Sequence, residues 1–270
     1  MSERNITIKS NRDTDIPVTI VEAGKENAPL VLFVHGFKAD RHEGGRFSEV
    51  ANNLAQIGVN SIRMGFPGCD ESKEDFINYT LKNNLDDIET CYKYMLENYN
   101  IDTKHLGMVG YSMGGRLTSI FVKEHKEFKT IGLWAGAVYK GFGGNEEYFI
   151  GAKLEPMRKQ ADELGYAEFL NAFDNTYIKI NKELIDDMES LNPLEGLNEY
   201  DGNAIVCHGD NDDTVVLDTA YIAMDNLKNA RNKKLVVING ANHGFGLWDD
   251  HMEQSHELVE ETTKFFKEYL

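Results

Sequence analysis

Eight short apolar runs, rich in β-branched residues, recur along this 270-residue chain: "ITIKS", "PVTIVEA", "LVLFVHG", "VNSIRMGF", "HLGMVGYS", "TIGLWAGA", "AIVCHGD" and "KLVVING". Runs of this length bounded by Gly, Asn and Asp read as strands. The first two flank the turn-forming "NRDTD" and predict an antiparallel hairpin, whereas most later runs are separated by stretches long enough for helical crossovers. Crossovers of that kind put helices on both faces of a sheet. The pattern therefore restricts the chain to an α/β architecture with a mostly parallel sheet of about eight strands.

The intervening segments carry helical signals. Ser48 is placed to cap a helix over "SEVANNLAQI", in which Ala51, Leu54 and Ile57 share one face and Gly58 lies beyond the end. Thr80 is placed to cap another, with Leu81, Leu85, Ile88 and Tyr92 forming a stripe suited to core packing. The final "ELVEETTKFFKEYL" predicts a helix with Leu258, Thr262, Phe265 and Phe266 on or near one side. Residues 140–200 break the rhythm, being too many for one crossover and containing the helical pieces "EPMRKQADELG" and "INKELIDDMESL". This stretch reads as a small inserted cap within a core made of residues 1–139 and 201–270.

Charge narrows the partners. With 45 acidic against 28 basic residues the net charge is -17, which disfavours nucleic acid and anionic membrane surfaces. The start "MSERNITIKS" lacks the apolar stretch of a secretory signal, and no run approaches the roughly 18 apolar residues of a membrane span, so a cytoplasmic location is expected. Cys69, Cys91 and Cys207 show no CxxC spacing, as in a reducing compartment. No cofactor or metal is expected: "GFGGNE" lacks the last glycine of a dinucleotide fingerprint, "DNDDTV" has Val215 where a calcium loop needs glycine, and no HExxH occurs.

Chemistry enters with "GYSMGG". Ser112 is the centre of Gly110-x-Ser112-x-Gly114, after the strand "HLGMV" and before the helix-like "RLTSIFVKEH". A turn this sharp crowds its neighbours, so glycine two places to either side removes the Cβ atoms that would clash. The alternative is a glycine-rich turn whose serine only caps a helix. A serine hydroxyl becomes a useful nucleophile when a base takes its proton and an acid orients that base. His243, in the glycine-flanked loop "NGANHGFG" after the last strand, is the best-placed of the 8 histidines. Asp210, Asp212 and Asp213 follow the strand "AIVCHG"; Asp212 is chosen as the acid, with Asp213 as the alternative because spacing alone does not separate neighbours. The backbone amides of Met113 and of Phe37, in the loop after "LVLFVHG", would hold an oxyanion, and His35 reads as a residue shaping that loop.

"HGF", "GYSMGG", "HGDNDDTV" and "GANHGF", in this order, resemble the α/β-hydrolase family, in particular its small bacterial esterases of the cinnamoyl or feruloyl type. The resemblance spans most of the chain. It implies an acid in an HGxxDxxV pattern, which falls on Asp212, an oxyanion donor at Phe37, and a cap before the acid-bearing strand. Departures are "MGFPGCDES", where relatives carry a Gly-His-Gly-x-Ser loop, and Val216 in place of a proline after the acid. The expected activity is a serine carboxylesterase acting on a small-molecule ester, hydroxycinnamoyl esters foremost, with self-association left open. A thioesterase, lipase-like hydrolase or acyltransferase would use the same machinery, and the fold could also serve a non-catalytic binding protein. Phe142, Tyr148, Phe149, Tyr166, Phe169, Phe173 and Tyr177 of the cap could line an acyl pocket or form the cap's own core.

Overall fold

A computed structural model describes residues 1–143, 147–149, 152–170 and 175–270, so Phe173 lies outside the described residues. All eight predicted runs enter one sheet: β1 (Ser2–Lys9), β2 (Asp15–Glu22), β3 (Ala28–Val34), β4 (Asn60–Met64), β5 (Ile101–Tyr111), β6 (Phe128–Trp134), and two later strands spanning Asn203–Gly209 and Asn232–Ile238. The first two form the expected antiparallel hairpin, β2 pairs antiparallel with β4, and the remaining pairings are parallel. In space β3 lies between β4 and β5, so the parallel strands carry their C-terminal loops to one edge.

Both faces of the inner sheet are covered because its inner strands are apolar on both. On β3, Val31 and Phe33 join one cluster while Leu30, Leu32 and Val34 join the other. The first cluster packs under α1 (Arg46–Ala55) and the C-terminal helix Met252–Tyr269, where Leu258, Phe265 and Phe266 are buried as their spacing predicts. The second packs under α2 (Leu81–Asn98) and α3 (Met113–Glu124). Thr80 caps α2 by accepting the Asn83 N–H at 3.1 Å. Two boundaries differ from expectation. The helix α1 begins at Arg46, with Gly45 at φ 94 as its N-cap, because Asp40 accepts the His42 and Glu43 N–H groups and closes a turn before Ser48 is reached. Ser48 instead meets His42 Nδ1 at 3.1 Å within the first turn. The last helix starts five residues before Glu257, at Met252.

Between β6 and the strand at Asn203 the chain forms β7 (Tyr148–Phe149), β8 (Ala152–Lys153), α4 (Leu154–Leu164), β9 (Tyr166–Leu170), β10 (Tyr177–Asn181), α5 (Lys182–Ser190) and α6 (Pro193–Glu199). After it come β11 (Asn203–Gly209), α7 (Asp218–Asn226), β12 (Asn232–Ile238) and α8 (Met252–Tyr269). The two helices expected in the insertion are α4 and α5; the hairpins β7–β8 and β9–β10 are additional. Leu154, Met157, Phe169, Ile180 and Leu184 belong to the same apolar cluster as α2 and α3.

Arg116, fully buried on α3, ties the stretch after β6 to the C-terminal end of α5. Its Nη1 donates to the carbonyls of Tyr139 at 3.0 Å and Gly141 at 3.1 Å, and its Nη2 to those of Met188 at 2.7 Å and Leu191 at 3.2 Å. Burial lowers its guanidinium to about 10, with Tyr139 opposing the shift. Arg116→Met would relieve the buried charge but strand several carbonyls, each costing about 1–3 kcal/mol. A net loss of about 3 kcal/mol is expected, read by calorimetry as a Tm lower by roughly 6–12 °C; an unchanged Tm would refute it.

Candidate active site

The candidate residues stand at the C-terminal ends of four parallel strands: Phe37 after β3, Ser112 after β5, Asp212 after β11 and His243 after β12. Ser112 occupies a sharp strand-to-helix turn at φ 53, ψ -114, a conformation that side chains with a Cβ rarely adopt. Its backbone is held there by Ser112 N–H donating to Trp134 O at 2.8 Å, and by Ser112 O accepting from Gly115 and Ala137 at 3.0 Å each. The flanking glycines are sterically required. A Cβ on Gly110 would lie 2.2 Å from Gly114 O, and one on Gly114 only 1.9 Å from Val34 O.

The helix-capping alternative for Ser112 is answered by its partners: as N-cap residue of α3 its side chain makes no capping hydrogen bond. Ser112 Oγ instead lies 3.0 Å from His243 Nε2, and His243 Nδ1 lies 2.7 Å from Asp212 Oδ2. With the Nδ1 proton given to the carboxylate, Nε2 keeps the lone pair that accepts the serine proton. His243 and Asp212 are buried, while Ser112 is partly open.

Asp212 is equipped to stay ionised. Its Oδ1 accepts the N–H groups of Thr214 and Val215, both at 2.9 Å. Burial pushes its carboxyl up, but His208, His243 and the Val215 N–H outweigh burial and hold it well below the usual carboxylate range. His208, wholly buried, gives its Nε2–H to Val215 O at 2.6 Å and sits 3.4 Å from Asp212 Oδ2. The neighbouring acids face elsewhere: Asp210 accepts the Gly240 N–H at 2.6 Å, and exposed Asp213 accepts from the Thr214 hydroxyl at 3.4 Å.

The loop after β3 is fixed from several sides. His35 donates from Nδ1 to Gly36 O at 2.7 Å and accepts the Phe66 N–H on Nε2 at 3.1 Å; burial lowers its imidazole to about 4, so it stays neutral. Ala39 N–H also reaches Gly36 O, at 3.3 Å. In a trans peptide the C=O and the following N–H point in opposite directions, so anchoring Gly36 O aims the Phe37 N–H away from the anchor. Met113 N–H, the first of α3, has no acceptor within its own helix. "MGFPGCDES" also serves this loop, since Asp70 and Glu71 both pair with Arg41, which donates from Nε to Thr19 Oγ1 at 2.8 Å.

The aromatic residues of the insertion separate into two sets. Phe142, Phe149 and Phe169 are buried in the shared core, and Phe149 packs edge-on against Phe37 at 6.0 Å. Tyr166 and Tyr177 alternate with the buried positions of β9 and β10 and so lie on the outer face of that hairpin, and Tyr148 is exposed. The sequence reading passed over Trp248, whose ring lies 6.0 Å from that of His243 and is 57% exposed. It also passed over Tyr111, whose ring stacks on His243 at 5.1 Å and whose hydroxyl donates to His243 O at 2.7 Å. Its place as the x of GxS was the available signal.

Sheet order, the strained serine turn and loops gathered at one edge define an α/β-hydrolase fold. The chain belongs to the prolyl oligopeptidase family, whose model matches residues 46–270, and this places it among the hydrolases. Solved structures share the whole fold. Est1E from Butyrivibrio proteoclasticus, with ferulic acid bound, superposes with a TM-score of 0.79 at 21% identity over 97% of this chain and 99% of that one. A hydrolase from Agrobacterium vitis S4 gives 0.77 at 16% identity over 98% of both chains. The α/β hydrolase GrgF from Penicillium sp. sh18 gives 0.76 at 12% identity, over 100% and 99%.

Proposed function

We propose that the protein is a serine carboxylesterase. The observation carrying this reading is the unbroken path from Ser112 Oγ through His243 to Asp212, at 3.0 and 2.7 Å, starting from a serine in a strained turn. Ser112 Oγ attacks the ester carbonyl while His243 Nε2 takes its proton; the tetrahedral oxyanion is held by the Met113 and Phe37 N–H groups, each worth about 3 kcal/mol. His243 returns the proton to the leaving alcohol. Water, activated by His243, then cleaves the acyl-enzyme and restores Ser112. Asp212 keeps the imidazole in one tautomer throughout.

Residues 140–200 act in this reading as a cap over the site. Contacts between the oxyanion loop and the insertion support that role: Lys38 Nζ donates to Thr176 Oγ1 at 2.9 Å, and Phe37 meets Phe149. Aryl and hydroxycinnamoyl esters are the favoured substrates, supported by the partly exposed rings of Phe37 and Phe76 beside the oxyanion loop and by the ferulic acid bound to Est1E. Family membership favours a second reading, cleavage of a peptide bond by the same machinery. Turnover on p-nitrophenyl esters, feruloyl esters, acyl-CoA thioesters and a prolyl-peptide anilide separates them. The esterase reading expects aryl or feruloyl esters to give the highest kcat/KM, and preference for the anilide or the thioester would overturn it.

A further inference from the structure

A buried polar pair outside the triad, Glu43 and Arg46, joins the loop after β3 to the loop after β12. Glu43, 4% exposed, turns back on its own loop so that Oε1 accepts the Gly36 N–H at 2.7 Å. Arg46, 3% exposed, lies 3.6 Å from Glu43 Oε2 and donates from Nε to the Glu43 carbonyl at 3.0 Å. Its Nη1 crosses to the carbonyl of Gly244, the residue after His243, at 2.8 Å. The same guanidinium sits over the Tyr111 ring at 5.1 Å and near that of Phe245 at 6.0 Å. Burying a carboxyl and a guanidinium is costly, and an apolar pair would fill the space more cheaply in free energy. Retaining two buried polar side chains here points to what their hydrogen bonds hold in place.

We propose that Glu43 and Arg46 are positioning residues that keep the Phe37 amide in register with His243. The inference rests on the serine hydrolase reading above. Gly36 is gripped at its N–H by Glu43 and at its C=O by His35 and Ala39, which fixes the plane of the peptide bearing the Phe37 N–H. Arg46 carries that restraint to the histidine loop, 198 residues away in the chain. Burial pushes the Glu43 carboxyl up to about 8, outweighing Arg46 and the Gly36 amide, with Asp40 adding to the rise. Near neutral pH the group is largely protonated, and glutamine reproduces its acceptor oxygen.

The test measures kcat and KM on a short-chain p-nitrophenyl ester, and inhibition by a trifluoromethyl ketone that forms a hemiketal with a serine, for Glu43→Leu, Glu43→Gln and Arg46→Lys. Displacing an oxyanion donor by a fraction of its bond length is expected to lower kcat about 10- to 100-fold in Glu43→Leu, with KM within about twofold. The ketone should weaken by a similar factor. Glu43→Gln should restore kcat to within about threefold of the parent. Parental kcat in folded Glu43→Leu, equal losses in the Leu and Gln variants, or a loss confined to KM would each overturn the proposal. Should Glu43→Leu not fold, Arg46→Lys decides, because lysine keeps the charge but not the guanidinium fork: about tenfold lower kcat at unchanged KM supports the proposal, and parental kcat overturns it. Ser112→Ala, assayed alongside, separates the two levels. If it retains turnover, the hydrolase reading falls and this inference with it; if it is inactive while the Glu43 and Arg46 variants match the parent, only the inference falls.

Discussion

Ser112→Ala should lower ester turnover about 10⁶-fold while leaving the fold intact. In the proposed mechanism the Ser112 hydroxyl, 3.0 Å from His243 Nε2, forms the bond to the substrate carbonyl, and alanine offers no atom in its place. Folding survives because the turn is held by backbone hydrogen bonds, to Trp134 O and from the Gly115 and Ala137 N–H groups, rather than by the hydroxyl. Ser112→Gly should be equally inactive yet more stable by about 1 kcal/mol, since glycine accepts φ 53 without the strain that a Cβ imposes there. Steady-state kinetics beside calorimetry would reveal this opposite movement of activity and stability. A serine variant with near-parental turnover would remove Ser112 from the chemistry.

Asp212→Asn should reduce kcat about 10⁴-fold, whereas Asp213→Asn should stay within about threefold of the parent. The asparagine would retain an acceptor for the Thr214 and Val215 N–H groups, so the loop should persist. Its amide, however, presents a donor towards His243 Nδ1 and favours the tautomer that puts a proton on Nε2, where the serine proton has to go. Asp213 is exposed and accepts from the neighbouring Thr214 hydroxyl at 3.4 Å rather than from His243, so little follows from its neutralisation. Comparing kcat for the two variants at one pH decides the assignment, and the reverse order would move the acid role to Asp213.

The inner strands were legible because a sheet covered on both faces makes them continuously apolar, and such runs stand out between crossovers, whereas the edge strands β1 and β12 carry only short apolar runs and are largely exposed. The hairpins of the insertion were not. In "YAEFL" and "YIKIN" buried and exposed positions alternate over only five residues each, too short a pattern to compete with the adjoining helical segments. The start of α1 was displaced because the turn at Asp40 and the left-handed Gly45 set it, and Ser48 looks the better cap when that turn is unseen.

Motifs pointed to the residues proposed to touch substrate, since a nucleophile turn and loops after successive strands have a local signature. The supporting side chains have none. Arg46 and Gly244 are 198 positions apart, Arg116 reaches carbonyls up to 75 positions away, and Tyr111 meets a carbonyl 132 positions downstream. Each pairing exists only after the sheet has brought its loops to one edge. A charged residue in "RHEGGRF" reads as a solvated surface until burial shows otherwise.

The most direct measurement on the central claim is incubation with a fluorophosphonate followed by peptide mass mapping. Attack by an activated serine Oγ on phosphorus expels fluoride and leaves a phosphonyl ester on that residue. A single adduct is expected on the peptide carrying Ser112, absent when His243 is replaced by alanine. An adduct on another residue, or an active enzyme that takes up no label at Ser112, would contradict it.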